Sequence, residues 1–214
     1  MSDPVAPSRL AILVHEVRSP VAALSAIRET LEARNDEPGD RFVLVRLVLA
    51  ACVAIERIVS DASVATLDVQ PVDIARLLRD TAAAADLHGG RVRVRTAPDV
   101  PEVAADSVRI RQALDNLVAN ALGHTSRDGE VVVDARVEGT DVILSVTDSG
   151  PGIPEEEHAR IFEPGVRLGS TYAGSGLGLA IVKAIAEAHG GTVGVASRPG
   201  EGATFTIRLP IASD

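Results

Sequence analysis

The sequence lacks the features of secreted proteins and of nucleic-acid-binding proteins. It contains a single cysteine, Cys52, which excludes a disulfide framework and predicts a buried thiol in a reducing compartment. The 21 basic residues are outnumbered by 30 acidic residues, which gives a formal net charge of −9. Broad electrostatic binding to nucleic acid or to an anionic lipid surface is therefore not expected.

Long apolar runs are also missing. The N-terminal segment MSDPVAPSRL has no basic patch followed by an apolar stretch, so it does not have the pattern of a secretion signal. The most apolar stretch, 42–55, contains Arg46 and is shorter than the roughly 20 apolar residues that a membrane-spanning helix needs. We interpret it as a buried helix, expect no membrane span in this chain, and predict a cytoplasmic location.

The first part of the chain contains two apolar seams, each a row of apolar residues at helical spacing. Apolar residues recur at spacings of three and four positions from Leu10 to Leu31 and again from Leu44 to Ile58, as on one face of an amphipathic helix. The segment NDEPGD, at 35–40, separates the seams with turn-forming residues and a proline. This pattern predicts an antiparallel helical hairpin within 1–63. A two-helix hairpin cannot cover its own apolar stripe, so we expect a homodimer that forms a four-helix bundle.

A second domain is predicted at 71–214, after a linker at 64–70. The hydrophobic periodicity predicts helices over 72–87, 106–124 and 177–189. Alternating patterns predict strands over 91–96, 130–137, 141–147, 192–197 and 204–209. This order favours a layer of helices on a mixed sheet, so the whole chain is assigned to the α+β class: a helical hairpin followed by an α/β sandwich.

The segment LVHEVRSP places a candidate catalytic histidine in the first helix. His15 follows the seam residue Val14 by one position, about 100° round the helix, so its imidazole is expected to face solvent. The neighbouring Glu16 can accept the imidazole proton while the other ring nitrogen attacks an electrophile. Pro20 is expected to bend the helix just after this point. For this segment alone, a surface histidine beside a solvated glutamate is an equally good interpretation.

Three segments of the second domain contain candidate ligand-binding residues. Asn116 and Asn120 are four positions apart in a predicted helix, so their amide groups share a face on which they can bind Mg²⁺ or a phosphate. Taken alone, such a pair is more often simply exposed to solvent. Asp148 ends a predicted strand and is followed by Gly150 and Gly152 in VTDSGPGIP, where the backbone can approach a flat ligand closely. The carboxylate can accept a hydrogen bond from an amine such as that of adenine, although for this segment alone an ordinary Asp-Ser-Gly turn is the favoured interpretation.

The third segment, GSGLGLAIVK, is a glycine-rich entry into a helix. Its exposed N–H groups and helix dipole suit phosphate oxygens, although its spacing is not that of a P-loop or a dinucleotide fold. The segment FEPGVRLGSTY precedes it and has the composition of a mobile lid, in which Arg167 can meet a phosphate. The candidate residues in these two segments are Phe162, Arg167, Gly174, Ser175, Gly176, Leu177 and Gly178.

Taken in this order, the segments resemble the conserved boxes of the sensor histidine kinases of bacterial two-component systems. LVHEVRSP resembles the H box, DNLVANAL the N box, DSGPGIP the first glycine box, IFEP the F box and GSGLGLAIVK the second glycine box. The C-terminal HGGTVGVASRPGEGATFTIRLP is similar to the closing strands of the family. The resemblance covers nearly the whole chain.

The resemblance implies a dimeric hairpin that carries the phosphoacceptor His15 and a Bergerat-type ATP-binding domain. It implies that Glu16 is the acid/base partner of His15, that Asn120 binds Mg²⁺ with help from Asn116 at the phosphates, and that Asp148 binds adenine. The implied reaction is autophosphorylation of His15 by Mg-ATP, followed by transfer to an aspartate in the receiver domain of a response regulator. Transfer of this kind depends on positioning and charge neutralisation.

Three departures from the family pattern affect these expectations. Ser19 stands where the family usually has Thr or Asn, which puts phosphatase activity in question. Gly165 stands near the position where the family often has a second F-box phenylalanine, which implies looser lid packing and a lower nucleotide affinity. Only 14 residues precede His15, so the signal is expected to come from a separate sensor protein, or the chain is a fragment. Two alternatives are a histidine phosphotransfer scaffold with little or no ATP binding, and a serine kinase or ATPase of the same superfamily.

Overall fold

The computed structural model describes residues 67–87, 91–97, 99–126, 129–168 and 176–211, together with residue 48. The chain divides into two units, Met1–Ala65 and Thr66–Asp214, and the architecture below is that of the second. The predicted helical hairpin and its candidate residues His15, Glu16 and Ser19 lie outside the described residues, as do Gly174 and Ser175. For these, and for the limits of the domains and the linker, the sequence-based predictions stand as predictions.

Three α-helices form one layer of the second unit. They are α1 (Ile74–Leu87), α2 (Ser107–His124) and α3 (Gly178–Ala188), and two short 3-10 helices, Glu155–Glu157 and Arg160–Phe162, precede α3. All three predicted α-helices are confirmed, with ends that differ by one or two residues. Among the described residues, none of the helices combines the length and the apolar character that crossing a membrane requires.

The other layer is a five-stranded mixed sheet. Its strands are β2 (Val92–Thr96), β4 (Val131–Glu138), β5 (Asp141–Asp148), β6 (Thr192–Ser197) and β7 (Ala203–Pro210), in the spatial order β2-β4-β5-β7-β6. Among the described strands of this sheet, only the β2–β4 pair is parallel. The predicted mixed sheet beneath a helical layer is therefore confirmed for this unit.

A small antiparallel sheet was not predicted. It pairs β1 (Gln70–Val72) with β3 (Val103–Ala105), in the register Val72 opposite Val103. Because each strand has three residues, neither is long enough to show an alternating pattern in the sequence. The predicted helix over 72–87 accordingly begins at Ile74, because Val72 belongs to β1.

The strand alternation decides which side chains face the helices. On β5 the side chains of Val142, Leu144 and Val146 are fully buried, and Asp148 continues the same alternate row. In the ladder Asp148 stands opposite Val131 of β4 and Ala203 of β7. The strand therefore delivers its last side chain, a carboxylate, to the same face as the hydrophobic core.

The N-terminus of α2 is held by the buried carboxylate of Asp106. One oxygen accepts hydrogen bonds from the N–H groups of Val108 at 3.0 Å and Arg109 at 3.1 Å, and the other accepts from the N–H of Asp68 at 3.1 Å. Burial alone would raise the pKa of this carboxyl, but the three N–H groups and the Arg109 guanidinium lower it below its ordinary value of 3.8. The carboxylate therefore stabilises the fold above that pH, and its contribution is lost as the pH falls towards the lowered pKa.

Replacing Asp106 with alanine is expected to lower the free energy of unfolding by about 2 kcal/mol, because three N–H groups lose their acceptor. Asp106→Asn keeps an amide oxygen for the helix cap but loses the acceptor for Asp68, so a smaller cost is expected. Urea unfolding followed by circular dichroism measures both variants. Equal stability of the alanine variant and the wild type would contradict this role.

Candidate functional site

A cleft of about 400 Å³ lies between α2, the end of β5, the loop that follows β5, and the start of α3. Its volume lies within the range of small-molecule sites in proteins. The structure brings together seven of the residues that the sequence analysis selected: Asn116, Asn120, Asp148, Gly152, Arg167, Gly176 and Gly178. These residues come from separate parts of the chain, and the fold places all of them around one cavity.

The packing of one face of α2 against the core determines where its two asparagine side chains lie. The helix buries Ile110, Leu114, Leu117 and Ala121 at helical spacing against the core. Asn116 and Asn120 precede two of these buried positions and lie at the edge of the buried face, where both line the cleft.

The amide nitrogen of Asn116 is buried and has no hydrogen-bond partner among the described residues. A buried donor of this kind is costly unless it is paired, so it indicates a missing acceptor such as a phosphate oxygen. A Cβ built on Gly178 would lie 4.0 Å from Oδ1 of Asn116, so the first turn of α3 lies directly beside this amide. The asparagine amide and the start of α3 therefore face one region of the cleft.

The residues of this region fit Mg²⁺ bound together with a phosphorylated ligand. Among the described residues there is no group of three or more His, Cys, Asp or Glu side chains that could hold a metal by itself. Mg²⁺ keeps several waters and typically takes only one or two protein oxygens together with substrate phosphates. The amide oxygen of Asn120 can supply such a ligand, with phosphates and water completing the shell.

Asp148 supplies a buried acceptor to the wall of the cleft. Its side chain is 6% exposed, and Oδ1 accepts a hydrogen bond from the N–H of Gly150 at 2.8 Å. Burial raises the pKa of this carboxyl above its ordinary value of 3.8, whereas the N–H groups of Gly150 and Ala203 and the charge of His124 act in the opposite direction. A carboxylate at this position can accept a further hydrogen bond from a ligand amine.

The loop after Asp148 runs close to the turn that joins β6 and β7. Gly152 has a φ of +74°, and a Cβ at this position would overlap the carbonyl oxygen of Arg198. Only glycine combines this conformation with this close approach without a shift of the backbone. The next residue, Ile153, presents an apolar side chain to the cleft.

The start of α3 is open to an anion. No described side chain caps this end of the helix, where Leu177 occupies the N-cap position. Uncapped N–H groups and the helix dipole make such a terminus suitable for phosphate. Gly176, with a φ of +75°, accepts a hydrogen bond from the N–H of Gly165 at 3.0 Å, which closes the base of the predicted lid. Arg167 lines the cleft from within this segment.

Three of the predicted ligand-binding residues do not line the cleft. Gly150 instead donates to Asp148, and Leu177 is buried at 3% exposure. Phe162 is buried and packs edge-to-face on Phe205, with ring centroids 6.4 Å apart and an interplanar angle of 82°. Because Phe205 itself lines the cleft, Phe162 supports the wall from behind.

Sequence reasoning missed several residues of the cleft wall. They are Ala119, Gly123, His124, Pro151, Ile153, Ile161, Val166, Leu168, Leu179, Ala203 and Phe205. Most are small or apolar, so they resemble ordinary core residues in the sequence. His124 ends the helix that carries the asparagines, and its position in that helix was the one available signal.

Comparison with known proteins connects this cleft to a family. Residues 105–213 match the family of histidine kinase-, DNA gyrase B-, and HSP90-like ATPases, and this range includes the whole cleft. The alginate biosynthesis sensor protein KinB of Pseudomonas aeruginosa is 32% identical over 211 residues, covering 92% of this chain and 36% of KinB. The chain thus spans about a third of that relative's length.

Two solved structures are similar over nearly the whole chain. Full-length ShkA in complex with AMPPNP has a TM-score of 0.67 and 32% identity, covering 98% of this chain and 47% of the ShkA chain. The histidine kinase ThkA in complex with the response regulator protein TrrA has a TM-score of 0.59 and 25% identity, covering 95% of this chain and 61% of that one. On its family match and these relatives, the chain belongs to the histidine kinase-, DNA gyrase B-, and HSP90-like ATPase family, and within it to the sensor histidine kinases of two-component systems.

Proposed function

We propose that this chain is the cytoplasmic kinase core of a two-component system. It binds Mg-ATP in the cleft, transfers the γ-phosphoryl group to His15, and passes it to an aspartate in the receiver domain of a response regulator. One observation carries the proposal: a single cleft joins the buried carboxylate of Asp148 to the unpaired amide of Asn116 and the uncapped start of α3. These groups are chemically complementary to the two ends of ATP.

The base end of the nucleotide fits the wall formed by Asp148. Its carboxylate accepts a hydrogen bond from the exocyclic amine of adenine, while the apolar side chains of Ile153, Leu179 and Phe205 cover the rings. The amine thereby supplies the donor that the buried carboxylate needs. A purine without this amine leaves the carboxylate unsatisfied, which selects for adenine.

The phosphate end fits α2, the lid and the start of α3. The N–H groups at the start of α3 and the guanidinium of Arg167 bind phosphate oxygens, and the amide of Asn116 donates to another. Asn120 holds Mg²⁺, which neutralises charge on the phosphates when it is bound. Together these groups hold the γ-phosphoryl group in one place, and positioning contributes much of the catalysis in phosphoryl transfer.

The phosphoryl acceptor is His15 of the predicted hairpin. One ring nitrogen forms a bond to the γ-phosphorus, the bond from that phosphorus to the bridging oxygen breaks, and ADP leaves. Glu16 accepts the proton from the other nitrogen, and Ser19 follows His15 by four positions, which is about one turn of the predicted helix. A carboxylate oxygen of the receiver aspartate then forms a bond to this phosphorus, the bond from the phosphorus to the imidazole nitrogen breaks, and the proton returns from Glu16 to the imidazole.

The proposed partners are a second copy of the chain, paired through the hairpin, and a response regulator. ThkA, which this chain resembles, forms a complex with a response regulator protein. A phosphotransfer scaffold without ATP binding is not favoured, because the nucleotide cleft retains its buried acceptor and its unpaired donor.

The test is incubation of the purified protein with γ-labelled ATP and Mg²⁺, followed by acid and alkali treatment of the label. Wild type is expected to acquire label that is lost in acid and stable in alkali, as for a phosphoramidate. His15→Ala is expected to acquire none, while its ATP affinity stays within twofold of wild type. Acid-stable label would indicate a serine kinase, and label on the alanine variant would show that His15 is not the acceptor.

A further inference from the structure

The loop at 150–154, which forms the adenine wall of the cleft, is fastened to the turn at 198–202 between β6 and β7. The N–H of Gly200 donates to the carbonyl oxygen of Pro151 at 2.7 Å. The N–H of Ile153 donates to Oγ of Ser197 at 2.8 Å, and the same hydroxyl donates to the carbonyl oxygen of Gly202 at 2.6 Å. A single hydroxyl therefore connects the loop to both sides of the turn.

Ile153 is held through both of its backbone polar groups. Its N–H is bound by Ser197, and its carbonyl oxygen accepts a hydrogen bond from Nε2 of His158 at 3.1 Å. Its side chain lines the nucleotide cleft, whereas Ser197 and His158 line a separate, more open groove on the outer side of the loop. Ser197 thus contacts the loop from the side away from the nucleotide.

We propose that Ser197 is a positioning residue for the adenine end of the site, an inference that rests on the proposed ATP binding. Its hydroxyl holds the backbone of Ile153 at the distance from Asp148 that lets an adenine ring enter between the loop and the core. Without the hydroxyl, the N–H of Ile153 and the carbonyl oxygen of Gly202 both lose their partner. Nucleotide binding then has to order the loop, and the free-energy cost of this ordering reduces the affinity for ATP.

The expected effect is on binding rather than on the chemical step. Ser197→Ala is expected to raise the Kd for ATP about tenfold, which corresponds to about 1.4 kcal/mol. Because the loop meets the base, the Kd values for ADP and adenosine are expected to rise by the same factor, with or without Mg²⁺. The labelling rate of His15 at saturating ATP is expected to stay within twofold of wild type.

Matched variants separate the hydroxyl from general packing. Ser197→Thr keeps the hydroxyl and is expected to bind ATP like wild type. Valine has nearly the same shape as threonine but no hydroxyl, so Ser197→Val is expected to bind ATP like the alanine variant. Ser197→Cys, with a weakly hydrogen-bonding thiol, is expected to lie between them. Isothermal titration calorimetry with ATP, ADP and adenosine measures these values, and circular dichroism establishes that each variant is folded.

Equal ATP affinity of the threonine and valine variants would overturn the role of the hydroxyl while leaving the proposed function intact. The same conclusion follows if Ser197→Ala binds ATP within twofold of wild type, or if only its saturated labelling rate falls. Absence of ATP binding by the wild type would instead overturn the proposed function, and with it this inference. The wild-type titration therefore distinguishes the two failures.

Discussion

Replacing Asp148 with asparagine is expected to weaken ATP binding about 100-fold, or about 2.7 kcal/mol, because the change turns an acceptor towards the base into a donor. Oδ1 of Asp148 accepts from the N–H of Gly150, and the amide oxygen of the variant is expected to keep that bond. The new NH₂ group then faces the exocyclic amine of adenine, donor against donor. Calorimetric titration with ATP measures the loss.

Asp134→Asn is the matched control for this variant. It removes a carboxylate from the neighbouring strand β4 at a position that does not line the cleft. ATP affinity within twofold of wild type is expected, since the ion pair of Asp134 with Arg136, at 3.6 Å, is partly exposed and contributes little. If Asp148→Asn bound ATP as tightly as this control does, adenine recognition by Asp148 would be rejected.

Asp148→Asn, which is expected to weaken ATP binding, is expected to stabilise the nucleotide-free protein. Because burial raises the pKa of Asp148 in the folded state, folding favours its protonated form. The stability that this group contributes is present in full below its ordinary pKa of 3.8 and is lost as the pH rises through the raised value. At neutral pH the buried carboxylate therefore destabilises the fold, and Asp148→Asn is expected to unfold at a higher urea concentration than wild type. A lower midpoint would contradict this.

Replacing Asn120 with alanine is expected to slow labelling of His15 about 100-fold, because the variant lacks the protein oxygen proposed to hold Mg²⁺. Affinity for ATP in the presence of Mg²⁺ is expected to fall about tenfold, or about 1.4 kcal/mol, with little change in EDTA. The variant is therefore expected to lose the difference in ATP affinity between titrations in Mg²⁺ and titrations in EDTA. Calorimetry under both conditions, together with the labelling rate, measures it.

Asp115→Ala provides the comparison on the same helix. Asp115 is exposed, pairs with Arg111 at 3.0 Å, and does not line the cleft, so the variant is expected to retain both ATP binding and labelling. If the ATP affinity of Asn120→Ala fell equally in Mg²⁺ and in EDTA, that result would contradict the role of Asn120 as a magnesium ligand. Such a result would instead point to direct contact with the nucleotide.

Hydrophobic periodicity in the sequence was sufficient to predict the long helices and strands of the second unit. The helix that carries Asn116 and Asn120 was predicted because its apolar residues, which the structure buries, recur with the period of an α-helix. Strands β4 and β7 alternate in burial along their length, whereas the central strand β5 is buried at five successive positions and alternates in polarity only in its second half. The three-residue strands β1 and β3 were missed, since their pairing depends on residues about 30 positions apart.

The amino-acid sequence was enough to identify the family and to select candidate ligand-binding residues. Chemistry-bearing residues such as Asp148 and Asn120 occur in short motifs, and a motif preserves residue type and spacing. Whether a motif residue enters the cleft depends on the register of strands and the packing of helices. The tertiary structure alone placed Phe162 behind Phe205, left the amide nitrogen of Asn116 without a partner among the described residues, and joined Ser197 to Ile153 across 44 positions. These contacts are non-local, and no local pattern of residues encodes them.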